Sequence, residues 1–407
     1  TMVMSEKREN DAPRSQKGEK WGKALSMIAK YGFPAVLILY VTVSFIYAWN
    51  IDQSRPGSYT WADQREYLIA AQAIVNGTPL NLHFSVGYPL LAVIPLVIGL
   101  ANPFMAVTYV LLLASLLFCY YAARNLVGSF WALCFGALLF YWDFQMRSFN
   151  FSMELFAVPW NNQVLFFALA YAFWMLSRLP LKNVSLWDSV AFGAVAGLTV
   201  IARQEAVLFV VPLLFTWIFL TKAPKKTIAL TIAAFLVLLV PQVVAKQFEN
   251  KDADRTYGSA LSEYFHPGVL KRNIWEVMID SRHYGNPQPP IYVTNEHRDV
   301  YKLGGPDPRR ESVLQTSWWL WIAPVGIALL LFSRKVGIGV KVFIGVGLMV
   351  LLFYLSGANM SSHKLQFHCI RYITPSFIVL NFAVIWALKT GFEKVGATRL
   401  ASRNQRS

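Results

Sequence analysis

Acidic side chains that could act as general acids or bases stand at the ends of apolar segments in this sequence. Asp63 is the first, within residues 61–77, where the spacing of apolar residues predicts a short helix that Gly77 ends as a C-terminal cap. One face of this helix would carry Asp63, Tyr67, Ala70 and Ile74. An Asp in the first turn either caps the helix or accepts a proton from a substrate as a general base. The sequence leaves both roles open.

Glu154 is the second acid, and it stands at the start of the strongly apolar segment 156–176. An ionisable group at membrane depth is costly, so such a group tends to be functional or paired. Its alternative roles are a salt bridge to Arg147 and simple exposure above the lipid headgroups.

Cationic side chains form the third group of candidates. Arg203 lies between two short apolar segments, and residues 356–372 hold four more basic or titratable side chains: His363, Lys364, His368 and Arg371. Such cations either extend to the headgroups or converge on a lipid-linked phosphate, which Arg and Lys bind well. Without a neighbouring CxxC or HExxH pattern, the two histidines do not predict a metal site.

The residues between these positions predict membrane helices. Only 14% of the chain is charged, 56% is hydrophobic and the mean hydropathy is +0.42, whereas a soluble domain carries about 25% charged residues. Several apolar stretches approach the roughly 17–25 residues that a helix needs to cross a bilayer. We therefore predict an all-α polytopic membrane protein with about ten transmembrane helices.

The net charge of +15 lies at the two termini and in short loops, which indicates membrane topology and anionic lipid rather than nucleic acid. We expect cytoplasmic basic tails at residues 1–30 and 391–407 and a transmembrane domain at residues 31–390. The first apolar segment would stay in the membrane as an anchor. An integral protein of a bacterial inner membrane fits this pattern best.

The same charge rule predicts which segments face outward. They are residues 51–88, 142–154, 203–205, 247–317 and 356–372. The stretch 247–317 would form a partly helical lid, with a helix near residues 269–280. Residues 87–101, short and interrupted by Pro89 and Pro95, would be re-entrant or tilted rather than a full crossing.

Short motifs in a fixed order connect these candidates. They are Asp63-Gln-Arg-Glu-Tyr67 with Gly77, Gly87-Tyr-Pro-Leu-Leu91, the helix start Met153-Glu154, Gly197-Leu-Thr-Val-Ile-Ala-Arg203-Gln-Glu205, and Arg371-Tyr-Ile-Thr-Pro375. Together they resemble the GT-C superfamily of integral-membrane glycosyltransferases, which includes protein O-mannosyltransferases and the aminoarabinose transferases of lipid A. One departure is that the family's frequent Asp-Glu pair is Asp63-Gln64 here, so only the first acid carries over.

This resemblance implies an enzyme that takes a hexosyl or pentosyl group from a polyprenyl-phosphate donor at the outer face. The sugar would pass with inversion to a lipid, glycan or protein acceptor. Asp63 would be the general base, and Glu154 would hold the sugar or acceptor or help to position a metal. Cations would stabilise the leaving phosphate, with Arg203, Lys364 and Arg371 as the main candidates. No resident cofactor is predicted, and a divalent metal stays open.

The residues expected to contact the substrate are Arg65, Glu66, Tyr67, Tyr88, Arg203, His363, Lys364, His368, Arg371 and Tyr372.

Two rival functions use the same residues differently. A transporter or flippase for a lipid-linked or anionic substrate should carry charge through the depth of the bundle, whereas here charge concentrates at the two faces. A non-catalytic membrane scaffold would tolerate Asp63→Asn, because Asn is also a good helix cap.

Overall fold

Helices account for the regular structure of the chain wherever its placement is described. The computed structural model describes residues 27, 31–54, 63–80, 85–100, 103–148, 161–179, 185–247, 266–279, 313–357 and 372–404. Within these ranges there is no strand. The prediction of an all-α protein is therefore confirmed for the described residues.

The longer helices are numbered here in chain order. They are α1 (Phe33–Ser54), α2 (Asp63–Asn76), α3 (Gly87–Val97), α4 (Pro103–Val127), α5 (Ser129–Ser148), α6 (Asn162–Ser177), α7 (Leu186–Ala202), α8 (Val207–Thr221), α9 (Lys225–Gln247), α10 (Ala323–Phe332), α11 (Ile338–Leu355) and α12 (Phe377–Asn404). Short helical turns join some of them: Gln204–Ala206, Pro267–Val269, Leu270–Asn273, Ile274–Ile279, Val313–Thr316, Trp318–Ile322 and Thr374–Ser376.

Five helical stretches within the described ranges are long and apolar enough to cross a membrane. They are Pro103–Val127, Gln204–Thr221, Lys225–Gln247, Ile338–Leu355 and Thr374–Gly396. Other apolar helices, such as α6 and α7, are shorter. Length and composition therefore support a membrane protein with several spanning helices.

The two ends of the bundle differ in their charged residues. We call the end at which Arg203 lies, between α7 and α8, the Arg203 end. The loops and helix termini of the opposite end carry basic residues: Arg124, Arg178, Lys222, Lys225, Arg334, Lys335 and Lys389. One of them, Arg178, pairs with Asp188 at 3.2 Å and lies over the Trp174 ring.

Helix α2 ends as the sequence predicts. Gly77 has a positive φ of 64°, its N–H bonds the Ile74 carbonyl at 3.4 Å, and the Thr78 N–H bonds the Ala73 carbonyl at 3.0 Å. This pair of bonds is the Schellman arrangement, which glycine favours because it lacks a Cβ. The predicted C-terminal cap is confirmed.

Helix α3 leaves the Arg203 end and the chain returns there. Tyr88 at the start of α3 stacks on Phe104 at the start of α4, with ring centroids 5.0 Å apart. Residues 87–100 therefore do not carry the chain from one end of the bundle to the other. Such a path is the one expected of a re-entrant segment.

Helices α7 and α9 pack with their backbones in close contact. A Cβ on Gly193 would overlap the Thr231 carbonyl oxygen, and one on Gly197 would lie 2.6 Å from the Phe235 carbonyl oxygen. Small residues four positions apart allow this approach, as is common between membrane helices. Near its C-terminus α9 also accepts a hydrogen bond, because the Val86 N–H lies 2.9 Å from Gln242 Oε1. The α7–α9 pair therefore positions the start of α3.

Candidate functional site

Arg203 and Glu205 form the centre of a polar cluster at the Arg203 end. Arg203 Nη2 lies 2.6 Å from Glu205 Oε1, and Arg203 Nε donates to the same oxygen at 2.8 Å. Arg203 is 4% exposed and the Glu205 side chain 18%. The two residues form an ion pair that is buried except at the carboxylate edge.

The backbone at the end of α7 creates this pair. Arg203 leaves the helix in an extended conformation with φ −155° and ψ 99°, and its N–H still bonds the Thr199 carbonyl at 2.8 Å. The turn Gln204–Ala206 follows at once. The change from helix to extended backbone lets two side chains separated by a single residue point to the same place.

Two tyrosine rings cover the Arg203 guanidinium. Its Cζ atom lies 5.0 Å from the ring centroid of Tyr354, near the end of α11, and 5.0 Å from that of Tyr372, which precedes α12. The two rings are nearly parallel, with centroids 5.5 Å apart. Cation–π contacts of this kind strengthen when they are desolvated.

The same ion pair gathers hydrogen bonds from two further helices. Tyr354 Oη donates to Glu205 Oε1 at 3.4 Å, and Arg203 Nη1 donates to Asn161 Oδ1 at 3.3 Å. Asn161 precedes α6, and its Nδ2 donates to the Ala202 carbonyl at 3.2 Å. We call Arg203, Glu205, Asn161, Tyr354 and Tyr372 the Arg203 cluster. Residues from the start of α6, the turn after α7, the end of α11 and the approach to α12 thus meet at one point.

The charges described in the Arg203 cluster balance each other. Burial lowers the pKa of the Arg203 guanidinium, but the attraction to Glu205, Tyr354 and Tyr372 together outweighs burial and leaves that pKa above its ordinary value. Arg203 is therefore always protonated, and Glu205 provides its counter-charge. The sequence predicts Arg203 as a cation for a substrate phosphate, whereas here its charge is already compensated within the protein.

Helix α2 reaches this region through an aromatic cluster. The Tyr67 ring lies 5.1 Å from that of Tyr88, and both residues pack with Ala202 in one buried group. A Cβ on Gly87 would lie 2.5 Å from the Ala202 backbone nitrogen, so α3 begins directly against the end of α7. The helix that starts at Asp63 is thus connected to Arg203 through the packing of Tyr67 on Tyr88 and of both on Ala202.

Tyr67 and Tyr88 are core residues in this structure. Tyr67 is 3% exposed, Tyr88 is fully buried, and the Tyr88 hydroxyl lies 3.2 Å from Thr108 Oγ1. Both rings pack between α2, α3 and α4. The substrate contact that the sequence predicts for these two side chains stays a prediction.

The structure positions other predicted site residues only in part. Asp63 is the first residue of α2, and its side chain lies outside the described part of the structure. Of its neighbours, Arg65 is exposed and Glu66 half-buried. Five predicted residues fall outside the described ranges altogether: Glu154, His363, Lys364, His368 and Arg371.

A short segment docks beside the Arg203 cluster. Asn273 Nδ2 donates to the carbonyls of Leu355 and Gly357 at 2.7 and 2.9 Å, and the His266 N–H donates to the Ser356 carbonyl at 2.7 Å. These bonds satisfy the carbonyls that the end of α11 leaves without helical partners. The helix predicted near residues 269–280 is present, as consecutive short turns from Pro267 to Ile279.

Sequence reasoning missed Glu205, Tyr354 and Asn161 as members of the site. For Glu205 a signal was available, since opposite charges that interrupt an apolar region are commonly paired. No local pattern identifies Tyr354 or Asn161, because each reaches Arg203 from a distant part of the chain. Among the side chains that the structure describes, no three His, Cys, Asp or Glu residues lie close enough to hold a metal ion.

Comparison with known proteins identifies no relative. No family model matches the chain, and neither a curated protein nor a solved structure is significantly similar to it.

Proposed function

We propose that this protein is an inverting glycosyltransferase of the GT-C type. It would move a sugar from a polyprenyl-phosphate donor to a lipid, glycan or protein acceptor at the Arg203 end of the bundle. The observation that carries the proposal is the meeting of three motif segments there: α2, which begins at Asp63, the Arg203–Glu205 turn, and Tyr372 at the approach to α12. These segments are far apart in sequence, so a shared site explains why each carries polar residues.

The proposed chemistry needs a base and a stabilised leaving group. Asp63 would accept the proton of the acceptor hydroxyl while its oxygen attacks the anomeric carbon of the sugar. The bond from that carbon to the phosphate oxygen breaks, and polyprenyl phosphate leaves as an anion. Lys364 and Arg371 are the cations proposed to stabilise it. Glu154 is proposed to hold the sugar or the acceptor.

We infer an orientation with the Arg203 end outside. Basic residues at the opposite end support this, because loops rich in Lys and Arg stay in the cytoplasm. With the shorter apolar helices also crossing, the chain would span the membrane about ten times. We propose that both termini are cytoplasmic and that the bilayer is a bacterial inner membrane.

A direct assay of sugar transfer tests the proposal. The purified protein is reconstituted with undecaprenyl phosphate carrying glucose, mannose or arabinose, together with acceptors from a bacterial envelope extract. Release of undecaprenyl phosphate is measured for the wild type and for Asp63→Asn. Loss of a general base should lower turnover by about 10²–10⁴-fold, while Asn suits the start of a helix as well as Asp does and should preserve the stability of α2.

The matched control removes an acid from the opposite end of the bundle. Glu393→Gln, on the exposed part of α12, should keep wild-type turnover. Equal turnover by the wild type and Asp63→Asn would eliminate Asp63 as the base. If no donor is consumed but labelled donor crosses the vesicle bilayer, the protein is a transporter or flippase instead.

A further inference from the structure

Asn162 carries a buried amide with unused hydrogen-bonding capacity. It is the first residue of α6 and is 5% exposed, and neither Oδ1 nor Nδ2 has a partner within the part of the chain that the structure describes. A buried polar group without a partner destabilises a protein, so each such group calls for an explanation. Its neighbour Asn161 uses both amide atoms, on Arg203 and Ala202.

Helix geometry places Asn162 at the level of the Arg203 cluster. Phe173 of α6 stacks on Phe343 of α11 at 4.7 Å, and the two helices run in opposite directions. Asn162 lies eleven residues before Phe173, and Tyr354 lies eleven residues after Phe343. Eleven residues are just over three turns, or about 16 Å. Asn162 and Tyr354 therefore lie at the same height, on the sides of α6 and α11 that face each other.

The side chains at the level of Asn162 and Tyr354 suit a neutral polar ligand. Its described charges, Arg203 and Glu205, cancel each other. Tyrosine rings supply flat apolar faces, and an amide offers both donors and an acceptor. Hydroxyl groups on a ring satisfy such an amide with matching donors and acceptors. A phosphate dianion would instead require net positive charge.

We infer that Asn162 binds hydroxyl groups of the transferred sugar, with the Arg203 cluster as the wall of that sugar subsite. The inference rests on the proposed glycosyl transfer and deepens it. The neutral sugar ring lies against the Arg203 cluster, and the donor phosphate lies elsewhere. Asn161, Glu205 and Tyr372 are the partly exposed members of the cluster. They form the edge at which the sugar enters.

A matched pair of substitutions separates ligand binding from folding. Asn162→Leu removes the unpartnered amide, so the melting temperature should stay the same or rise. Asn381→Leu is the control, because Asn381 is equally buried but fully bonded, to Trp319 Nε1 at 2.9 Å and to the Phe377 carbonyl at 3.0 Å. That substitution should lower the melting temperature.

Ligand response is measured as thermal stabilisation by undecaprenyl phosphate alone and by undecaprenyl phosphate carrying glucose, mannose or arabinose. The wild type should respond more strongly to at least one sugar-bearing lipid than to the bare phosphate. Asn162→Leu should lose this difference but keep the response to the bare phosphate. Its KM for the active donor should rise roughly five- to tenfold, the effect of losing a neutral hydrogen bond or two.

The outcomes distinguish this inference from the proposed function. Turnover by the wild type with an unchanged KM in Asn162→Leu overturns the sugar subsite and leaves glycosyl transfer standing. A melting temperature that falls as far in Asn162→Leu as in Asn381→Leu also overturns it, because a well-bonded amide would then be indicated. Absence of both turnover and stabilisation with every sugar-bearing lipid overturns the inference and the proposed function together.

Discussion

Arg203 and Glu205 are separated by one residue in the chain and joined by a contact of 2.6 Å between Nη2 and Oε1. Both tyrosine rings of the Arg203 cluster pack on this ion pair from later parts of the chain. The pair therefore links the turn after α7 to α11 and to the approach to α12. Because little water reaches Arg203, loss of its counter-charge should be costly.

Substitution of Glu205 by Gln should destabilise the protein by about 2–4 kcal/mol, because it leaves Arg203 buried and charged without its partner. The double variant Arg203→Met with Glu205→Leu should be closer to the wild type than Glu205→Gln is, since no charge is left uncompensated. Unfolding by denaturant in detergent micelles, followed by tryptophan fluorescence, measures both values.

The pair Lys389–Glu393 on α12, at 3.3 Å and with Glu393 exposed, is the control for this comparison. Glu393→Gln should change the unfolding free energy by less than about 0.5 kcal/mol, because exposed ion pairs contribute little. Similar losses for Glu205→Gln and Glu393→Gln would show that the Arg203–Glu205 pair is not energetically buried.

Substitution of Gly193 by Ala should separate α7 from α9, because the new methyl group would overlap the Thr231 carbonyl oxygen. The expected loss of stability is about 1–3 kcal/mol, typical of an added group in a packed interface. Gly345→Ala is the control: Gly345 is an exposed residue of α11 with open space around it. There Ala should be neutral or should stabilise by up to about 1 kcal/mol. Unfolding curves that shift equally would contradict the close α7–α9 contact.

Substitution of Asn273 by Ala should release the segment from Leu270 to Ile279 from the end of α11. The variant loses the two bonds to the Leu355 and Gly357 carbonyls, which together contribute about 1–3 kcal/mol. Hydrogen exchange of peptides from this segment should therefore be faster by tenfold or more. Asn76→Ala, at the exposed end of α2, should leave that exchange unchanged. Unaltered protection in Asn273→Ala would mean that other contacts hold the segment.

Several features of the fold follow from local sequence alone. The helix from Asp63 to Asn76 and its cap at Gly77 depend on neighbouring residues, as do α7, α8 and the break between them at Arg203. Apolar periodicity and glycine conformation are local properties, so a single sequence is enough to predict them.

The composition of the site required long-range structure. The sequence predicts a connection between two helices at residues 203–205, but such a connection does not show whether the Arg203 and Glu205 side chains point the same way. Only the extended backbone of Arg203 brings the two side chains together. Tyr88 is a second example, because its place in the Gly87–Leu91 motif suggests a substrate contact, whereas in the structure the side chain is fully buried.

Sequence by itself predicted an all-helical membrane protein, because apolar segments of this length satisfy their backbone hydrogen bonds in lipid as helices. Sequence also marked Arg203 as an unusual charge between apolar segments. Tertiary structure decided that Arg203 is neutralised by Glu205 and enclosed by Tyr354 and Tyr372. Partners of a buried charge are chosen by the packing of distant helices, and no local pattern records that choice.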